Sequence, residues 1–186
     1  MSLALAGGFA DPPTGAARAF RAALTAMSRP GRIETIESVA APEGLSPAAA
    51  TVLLTLCDTS TPVYLAGRAD CDSAREWLAF QTGAPTTGPS HAVFAVGDWD
   101  ALLPLDQYPQ GTPEYPDRSA TLIVEMPRID ASGSTLRGPG IRDTAALGLP
   151  DEAAFRANAA RFPLGLDFFF TAGDALAALP RTTRVG

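Results

Sequence analysis

The sequence predicts one α/β domain over residues 1–186, a three-layer αβα sandwich with a mixed, mostly parallel central sheet. Short apolar runs of strand length alternate with segments whose apolar residues recur at helical spacing. The run Leu166–Thr171 is apolar almost throughout, which is typical of a strand covered on both faces. Seventeen glycines and seventeen prolines punctuate these segments, and no repeat or low-complexity linker divides the chain.

The first predicted helix begins at Asp11, which is expected to cap it, with Pro12 at the first helical position. Residues at helical spacing predict its apolar face: Phe20, Ala23, Leu24 and Met27. The turn Ser28–Gly31 ends the helix, and Arg32–Ile36 is predicted to form a strand.

Two more helices are predicted around a second strand. Ser46 and Pro47 begin a helix over Ala48–Cys57, which is apolar nearly all round and therefore expected to be buried. Thr61–Leu65 is the strand. Asp70 or Asp72 is expected to cap the third helix, on one side of which four residues lie together: Ala74, Trp77, Leu78 and Gln81.

The middle of the chain predicts two buried strands, Ala92–Val96 and Ser119–Met126, with a short helix at Trp99–Leu103 between them. A turn at Asp130–Gly133 predicts that Ser134–Gly138 pairs antiparallel with Ser119–Met126, which would make the sheet mixed.

The last third predicts a helix over Asp151–Arg161. Its apolar face is expected to contain three residues: Phe155, Ala159 and Phe162. The strand Leu166–Thr171 follows, and Asp174–Leu179 is predicted to be a brief helical turn that stops at Pro180.

Charge and composition exclude several classes of protein. The net charge is −6, the pI is about 4.7 and no basic stripe occurs, so non-specific nucleic-acid binding is not expected. No apolar run reaches membrane-spanning length, and the short apolar start lacks a preceding cationic segment, which predicts a cytoplasmic protein. Two isolated cysteines suggest neither a disulfide scaffold nor a metal knuckle.

All fourteen basic residues are arginine, and the sequence contains no lysine. Pyridoxal-phosphate enzymes hold their cofactor as a Schiff base on a lysine amine, and the phosphate-binding P-loop also needs a lysine. Both chemistries are therefore excluded for this chain acting alone.

Conventional catalysis has weak support, and the sequence predicts no catalytic residue and no metal site. His91 is the only histidine and stands at the start of a strand, where a structural role is common. Cys57 lacks a nearby base, and Cys71 has only Arg75 at helical reach. The carboxylates Asp98 and Asp100 are interpreted as helix caps.

Two loops are candidates for anion binding, namely Tyr115–Ser119 and Gly138–Asp143. In the turn Gly138-Pro139-Gly140, either glycine can take positive φ and let backbone N–H groups approach an anion. Three arginines could surround that anion: Arg118, Arg137 and Arg142. The alternative is an ordinary turn with solvated arginines.

The end of the chain, Arg181-Thr182-Thr183-Arg184, lies about a dozen residues after a predicted core strand. It is therefore expected to stay close to the fold rather than fray. Two interpretations are open: a solvated basic tail, or a fixed edge that binds an anion or contacts a partner protein.

The sequence also resembles, from end to end, the H subunit of the bacterial carbon–phosphorus lyase core complex, the PhnH family. The resemblance is carried, in order, by these stretches: Arg18–Arg21, Ala26–Gly31, Val52–Asp58, Thr61–Leu65, Phe80–Pro85, Phe94–Asp98, Ser119–Leu122, Gly138–Ile141, Phe162–Asp167 and Leu179–Arg184. The last two stretches are the most specific.

The resemblance implies a fold like the large domain of pyridoxal-phosphate-dependent transferases, without that cofactor. It implies a homodimer in isolation, and assembly with subunits G, I and J. It further implies ATP-dependent formation of a ribose 1-phosphonate 5-triphosphate, with C–P cleavage by S-adenosylmethionine and an iron–sulfur cluster on another subunit. It supplies no catalytic residue for this chain.

Three hypotheses follow in order of preference. The chain is a non-catalytic subunit of the phosphonate-processing complex. It also binds a nucleotide or phosphonate through its arginines. Or it is a free-standing hydrolase that uses Cys57, Cys71 or His91.

Overall fold

A computed structural model describes residues 7–186, so the short apolar start at residues 1–6 lies outside the described residues. The helices of this part are Pro12–Ser28 (α1), Pro47–Leu56 (α2), Asp72–Thr82 (α3), Trp99–Leu102 (α4) and Glu152–Ala159 (α5). The strands are Glu34–Thr35 (β1), Val63–Leu65 (β2), Phe94–Asp98 (β3), Thr121–Glu125 (β4), Ser134–Arg137 (β5), Ala145–Leu147 (β6), Asp167–Ala172 (β7), Ala175–Leu179 (β8) and Arg184–Val185 (β9). No helix of residues 7–186 is both long enough and apolar enough to cross a membrane.

Six strands form the central sheet in the order β1-β8-β7-β4-β3-β2. The neighbours β2, β3, β4 and β7 run parallel, whereas β8 is antiparallel to both β7 and β1. The predicted α/β class and the mixed central sheet are therefore confirmed. The antiparallel strand that makes the sheet mixed is β8, which is not the strand that the sequence predicts.

The predicted hairpin between Ser119–Met126 and Ser134–Gly138 is wrong. β4 is bound by β3 on one side and β7 on the other, so it has no free edge for a further strand. β5 instead lies between β6 and β9 in a separate antiparallel sheet of three strands.

The predicted helical turn at Asp174–Leu179 is also wrong, because Ala175–Leu179 is strand β8. Gly173, at φ +56°, and Asp174 form a two-residue connection that pairs Ala172 with Ala175. Alanine and leucine favour helices, but burial against β7 and β1 overrides this weak local preference.

The two faces of the central sheet are covered differently. On one face, α1, α2 and α3 pack on the sheet in a core that includes Val96, Ile123 and Phe169. On the other face, α5 and the small sheet cover Leu122 and Phe168. The aromatic rings of Phe155 and Phe168 meet edge to face with centroids 4.9 Å apart, which fixes α5 on the sheet.

The predicted apolar face of α1 is only partly correct. Small residues form the buried stripe, namely Gly15, Ala19, Ala23 and Ala26. Phe20 and Leu24 point away from the core, with 52% and 56% of their surfaces exposed. Alanine lets α1 approach its neighbours closely, which leaves the larger side chains outside.

Helix starts follow the expected chemistry at two places. The Ser46 hydroxyl accepts a hydrogen bond from Ala49 N–H at 3.2 Å, and Asp151 Oδ1 accepts one from Ala154 N–H at 3.1 Å. Asp11 occupies the cap position of α1 without a side-chain cap bond. The predicted capping residue of α3, Asp70 or Asp72, is wrong. Cys71 occupies the cap position, and Asp70 pairs with Arg75.

Candidate functional site

Three polar residues lie in one row at the carboxyl ends of the parallel strands. The strand register places Asp98 of β3 beside Glu125 of β4, and Glu125 beside Thr171 of β7. Open α/β sheets commonly bind ligands at this edge, so its side chains are the first candidates for a site.

Glu125 is 7% exposed and is bound entirely from within the chain. Its Oε1 accepts a hydrogen bond from Ser46 N–H at 2.6 Å, and its Oε2 accepts one from the Thr171 hydroxyl at 3.1 Å. Burial raises the pKa of Glu125, while these hydrogen bonds and the charge of Arg68 lower it in part. The carboxylate therefore fixes the start of α2 onto the sheet.

Asp98 is not used as a helix cap, although it occupies the cap position of α4. Its carboxylate accepts hydrogen bonds from Arg68, with Nη2 at 2.9 Å from Oδ1 and Nε at 3.1 Å from Oδ2. The pKa of Arg68 is raised, first by this hydrogen bond and then by the charge of Asp98. The polar groups of the carboxyl edge thus bind one another.

Arg181 anchors the C-terminal tail at the opposite edge, where β7 begins. Its backbone N–H and its Nε donate to Asp167 Oδ1 at 2.8 Å and 3.1 Å, and its Nη2 binds Asp167 Oδ2 and the Ser119 hydroxyl. Its Nη1 donates to the carbonyl of Pro116 at 2.6 Å. The side chains of Arg181 and Asp167 are only 13% and 22% exposed.

The tail beyond Arg181 forms β9 and pairs with β5, so that Arg184 stands opposite Arg137. Gly138, at φ +144°, approaches the tail so closely that a Cβ there would lie 3.0 Å from the Thr182 carbonyl oxygen. Thr183 is buried. The Gly138 turn and the tail, which the sequence presents as separate candidates, are therefore one structural unit.

A cleft of about 360 Å³ lies over this unit, and we call it the arginine cleft. Its walls are formed by Arg137, Gly138, Pro139, Ala159, Phe162, Arg181, Thr182 and Arg184. Phe162, predicted to share the apolar face of the last helix with Phe155, is 59% exposed and forms part of the wall. The cleft contains two of the five predicted anion-binding residues and three of the four tail residues.

The other predicted anion-binding residues lie outside the lining of this cleft. The Arg118 guanidinium stacks over the ring of Tyr115, with its carbon 4.0 Å from the ring centroid, and Arg142 is exposed. Gly138 and Gly140 both have positive φ, as predicted. A Cβ at Gly140 would lie 1.9 Å from the carbonyl oxygen of Ser28, so this glycine serves packing against the end of α1.

The nucleophile candidates do not form a catalytic group. Cys57 is buried, and burial raises its pKa to about 12, which disfavours the reactive thiolate. The Cys71 thiol donates to the carbonyl of Glu43, and His91 is exposed with Nδ1 3.0 Å from the Ser90 hydroxyl. Residues 7–186 contain no group of three histidine, cysteine or acidic side chains that could hold a metal ion.

Sequence reasoning missed Glu125 and Asp167, the two carboxylates that organise the edges of the sheet. Each had a visible signal, since each is an acidic residue within or at the start of a strongly apolar strand. Such a carboxylate needs a partner when it is buried. The two most specific stretches, Phe162–Asp167 and Leu179–Arg184, contain the two sides of the Arg181–Asp167 ion pair.

The comparisons with known proteins agree with one another, and all of them match proteins of phosphonate metabolism or C-P lyase. The family described as "Bacterial phosphonate metabolism protein (PhnH)" matches residues 7–186. A Rhizobium meliloti protein named alpha-D-ribose 1-methylphosphonate 5-triphosphate synthase subunit PhnH is 42% identical over 96% of this chain and 94% of its own length. A Stutzerimonas stutzeri protein named putative C-P lyase subunit protein HtxG is 31% identical over 90% of this chain and 84% of its own. The chain therefore belongs to the PhnH family of bacterial phosphonate metabolism proteins.

Proposed function

We propose that the chain is the H subunit of a bacterial carbon–phosphorus lyase complex that contributes to the synthesis of α-D-ribose 1-methylphosphonate 5-triphosphate. One observation carries this proposal. The relative named as that subunit of the synthase is 42% identical over 96% of this chain and 94% of its own length.

In this proposal the chain acts as a non-catalytic subunit. It is a cytoplasmic protein whose partners are subunits G, I and J. It forms a homodimer when it is isolated from those partners. ATP is a substrate of the assembly, and S-adenosylmethionine and an iron–sulfur cluster belong to another subunit. The absence of lysine agrees with a chain that carries no pyridoxal phosphate, although its fold is expected to resemble that class of transferase.

The outer face of α1 supports a role in assembly. Phe20 and Leu24 are one turn apart on this helix, and more than half of each side chain is exposed. Neighbouring exposed apolar side chains that form one contiguous patch are typical of surfaces that contact another protein, whereas a single exposed apolar residue is not. We propose this face as a contact with a partner subunit.

Co-expression with subunits G, I and J, followed by capture through a tag on this chain, tests the proposal. We expect a stable multi-subunit complex. Phe20→Ser with Leu24→Ser should reduce recovery of the partners. Phe80→Ser, which changes a similarly exposed phenylalanine on α3, should not. Recovery of the wild-type chain without any partner would contradict the proposed function.

A further inference from the structure

Two arginines face each other across β5 and β9 at the arginine cleft. Arg137 is directly opposite Arg184 in the antiparallel register, and both side chains are exposed while the neighbouring pair Leu136 and Val185 is buried. Directly opposed residues project from the same face of a sheet, at a distance where like charges repel. The arrangement therefore costs stability unless an anion compensates it.

No carboxylate side chain of the described residues supplies that compensation. Seven of the fourteen arginines form ion pairs within residues 7–186, and neither Arg137 nor Arg184 is among them. The chain has a net charge of −6, so two adjacent guanidinium groups without ion pairs form a positive patch on a protein that is negative overall. Such a positive patch attracts a negatively charged ligand from solution.

The surroundings of the two arginines provide a second type of contact. The ring of Phe162, with Pro139 and Ala159, forms an apolar wall, and Thr182 adds a polar group to the same cleft. The volume of about 360 Å³ lies at the lower end of the range for small-molecule pockets. The cleft therefore suits a small anion that also carries a ring or an alkyl group.

The two arginines are held on an ordered backbone. Arg181 fixes the start of the tail through Asp167, and the side chain of Arg156 donates from Nε to the carbonyl of Val185 at 3.2 Å. Leu136 pairs with Val185 beside them. The backbone on both sides of the arginine pair is thus positioned before any ligand arrives, which reduces the entropy lost on binding.

We propose that the arginine cleft binds a phosphate monoester or a phosphonate, with Arg137 and Arg184 binding the anionic group and Phe162 contacting the remainder. Two guanidinium groups match a group whose charge approaches −2 at neutral pH, as it does in phosphate monoesters. Guanidinium also offers paired N–H donors to the oxygens of such a group. A carboxylate, with one charge, would neutralise only half of the pair.

Isothermal titration of the purified chain with ribose 5-phosphate, methylphosphonate and acetate tests this site. We expect saturable binding of the two phosphorus compounds that weakens with added salt, and no saturable binding of acetate. Arg137→Ala and Arg184→Ala should each weaken binding about tenfold or more, since a hydrogen bond to a charged group contributes about 1.5–3 kcal/mol. Phe162→Ala should weaken ribose 5-phosphate more than methylphosphonate.

Arg118→Ala and Arg142→Ala are matched controls, because each removes one exposed arginine outside the cleft lining. They should change the affinity by no more than about twofold, as expected for screened charges at a distance. Equal weakening by these controls, equal binding of acetate, or no saturable binding of either phosphorus compound would overturn the proposal.

Arg137→Lys and Arg184→Lys keep the charge in case an alanine variant unfolds, and they should still weaken binding by losing the paired donors. The inference goes beyond the proposed assembly role. The titration needs no partner subunit, so its failure would leave the result of the co-expression experiment unaffected.

Discussion

The two edges of the parallel strands use charged residues in opposite ways. At the carboxyl edge, a buried acid, Glu125, is bound by a helix N–H and a threonine hydroxyl. At the amino edge, Arg181 is bound by Asp167, but the chain then continues to two arginines that have no ion pair within residues 7–186. One edge has its hydrogen bonds satisfied internally, and the other leads to charge that remains available to a ligand.

This difference shows why the position of a site cannot be transferred from the fold class alone. Parallel sheets place many ligand sites at their carboxyl edge because strand ends and helix starts converge there. Here the start of α2 is bonded directly to Glu125, so that the hydrogen-bonding groups of the edge are used for structure. The available charge comes from the small second sheet, which is an addition to the parallel layer.

The largest expected effect comes from breaking the anchor at the amino edge. Arg181→Ala leaves Asp167 partly buried without its cation, and it also releases hydrogen bonds to Pro116 and Ser119. Loss of one partner from a largely buried ion pair costs about 3–5 kcal/mol. We expect a decrease of that size in the free energy of unfolding, measured by urea denaturation.

Arg184→Ala is the control for this experiment, since its side chain is exposed and has no ion pair within the described residues. It should change the free energy of unfolding by less than about 0.5 kcal/mol. If Arg181→Ala were equally mild, Arg181 would not be the anchor of the tail.

The second prediction tests whether the hydrogen bonds that Glu125 accepts at the carboxyl edge stabilise the fold. Glu125→Ala leaves the Ser46 N–H and the Thr171 hydroxyl without this acceptor, which should reduce the free energy of unfolding by about 1–3 kcal/mol at neutral pH. Glu125→Gln keeps one acceptor oxygen and removes the buried charge, so it should cost less.

The pH dependence of these variants has a definite sign. Because the pKa of Glu125 is raised in the folded chain, the folded state holds this proton to higher pH than the unfolded state does. The wild type therefore loses stability as the pH rises from the ordinary pKa of a glutamate through the raised one. Relative to the wild type, Glu125→Gln should gain stability over the same pH window, and a constant difference would show that Glu125 does not titrate there.

The sequence predicted what depends on local chemistry. Ser46 and Asp151 cap their helices because their side chains satisfy N–H groups of the same turn, and the buried strand within Leu166–Thr171 follows from its apolar run. The alanine-rich segment Ala175–Leu179 could not be assigned from local preference, because its strand state depends on pairing with β7 and β1. The hairpin prediction failed for the same reason, since strand order is a property of the whole sheet.

Some features of the candidate site were also visible in the sequence, and others depend on the fold. Arginine-rich segments were visible in the sequence, and the structure brings Arg137 and Arg184 together across β5 and β9. The sequence could not show that Arg118 and Arg142 lie outside the lining of this cleft, because their position relative to Arg137 depends on the fold. It also could not show that Arg181 has an internal partner 14 residues before it.

A small expected effect on stability sharpens the comparison of the two edges. Arg68 pairs with Asp98 as Arg181 pairs with Asp167, but the Arg68 side chain is 72% exposed. Arg68→Ala should therefore lower the free energy of unfolding only slightly, because water screens an exposed pair. Its clearer effect should be on Glu125, whose pKa the charge of Arg68 lowers. Without that charge the pH window in which the wild type and Glu125→Gln diverge should extend upward, and an unchanged window would show that Arg68 does not act on the buried acid.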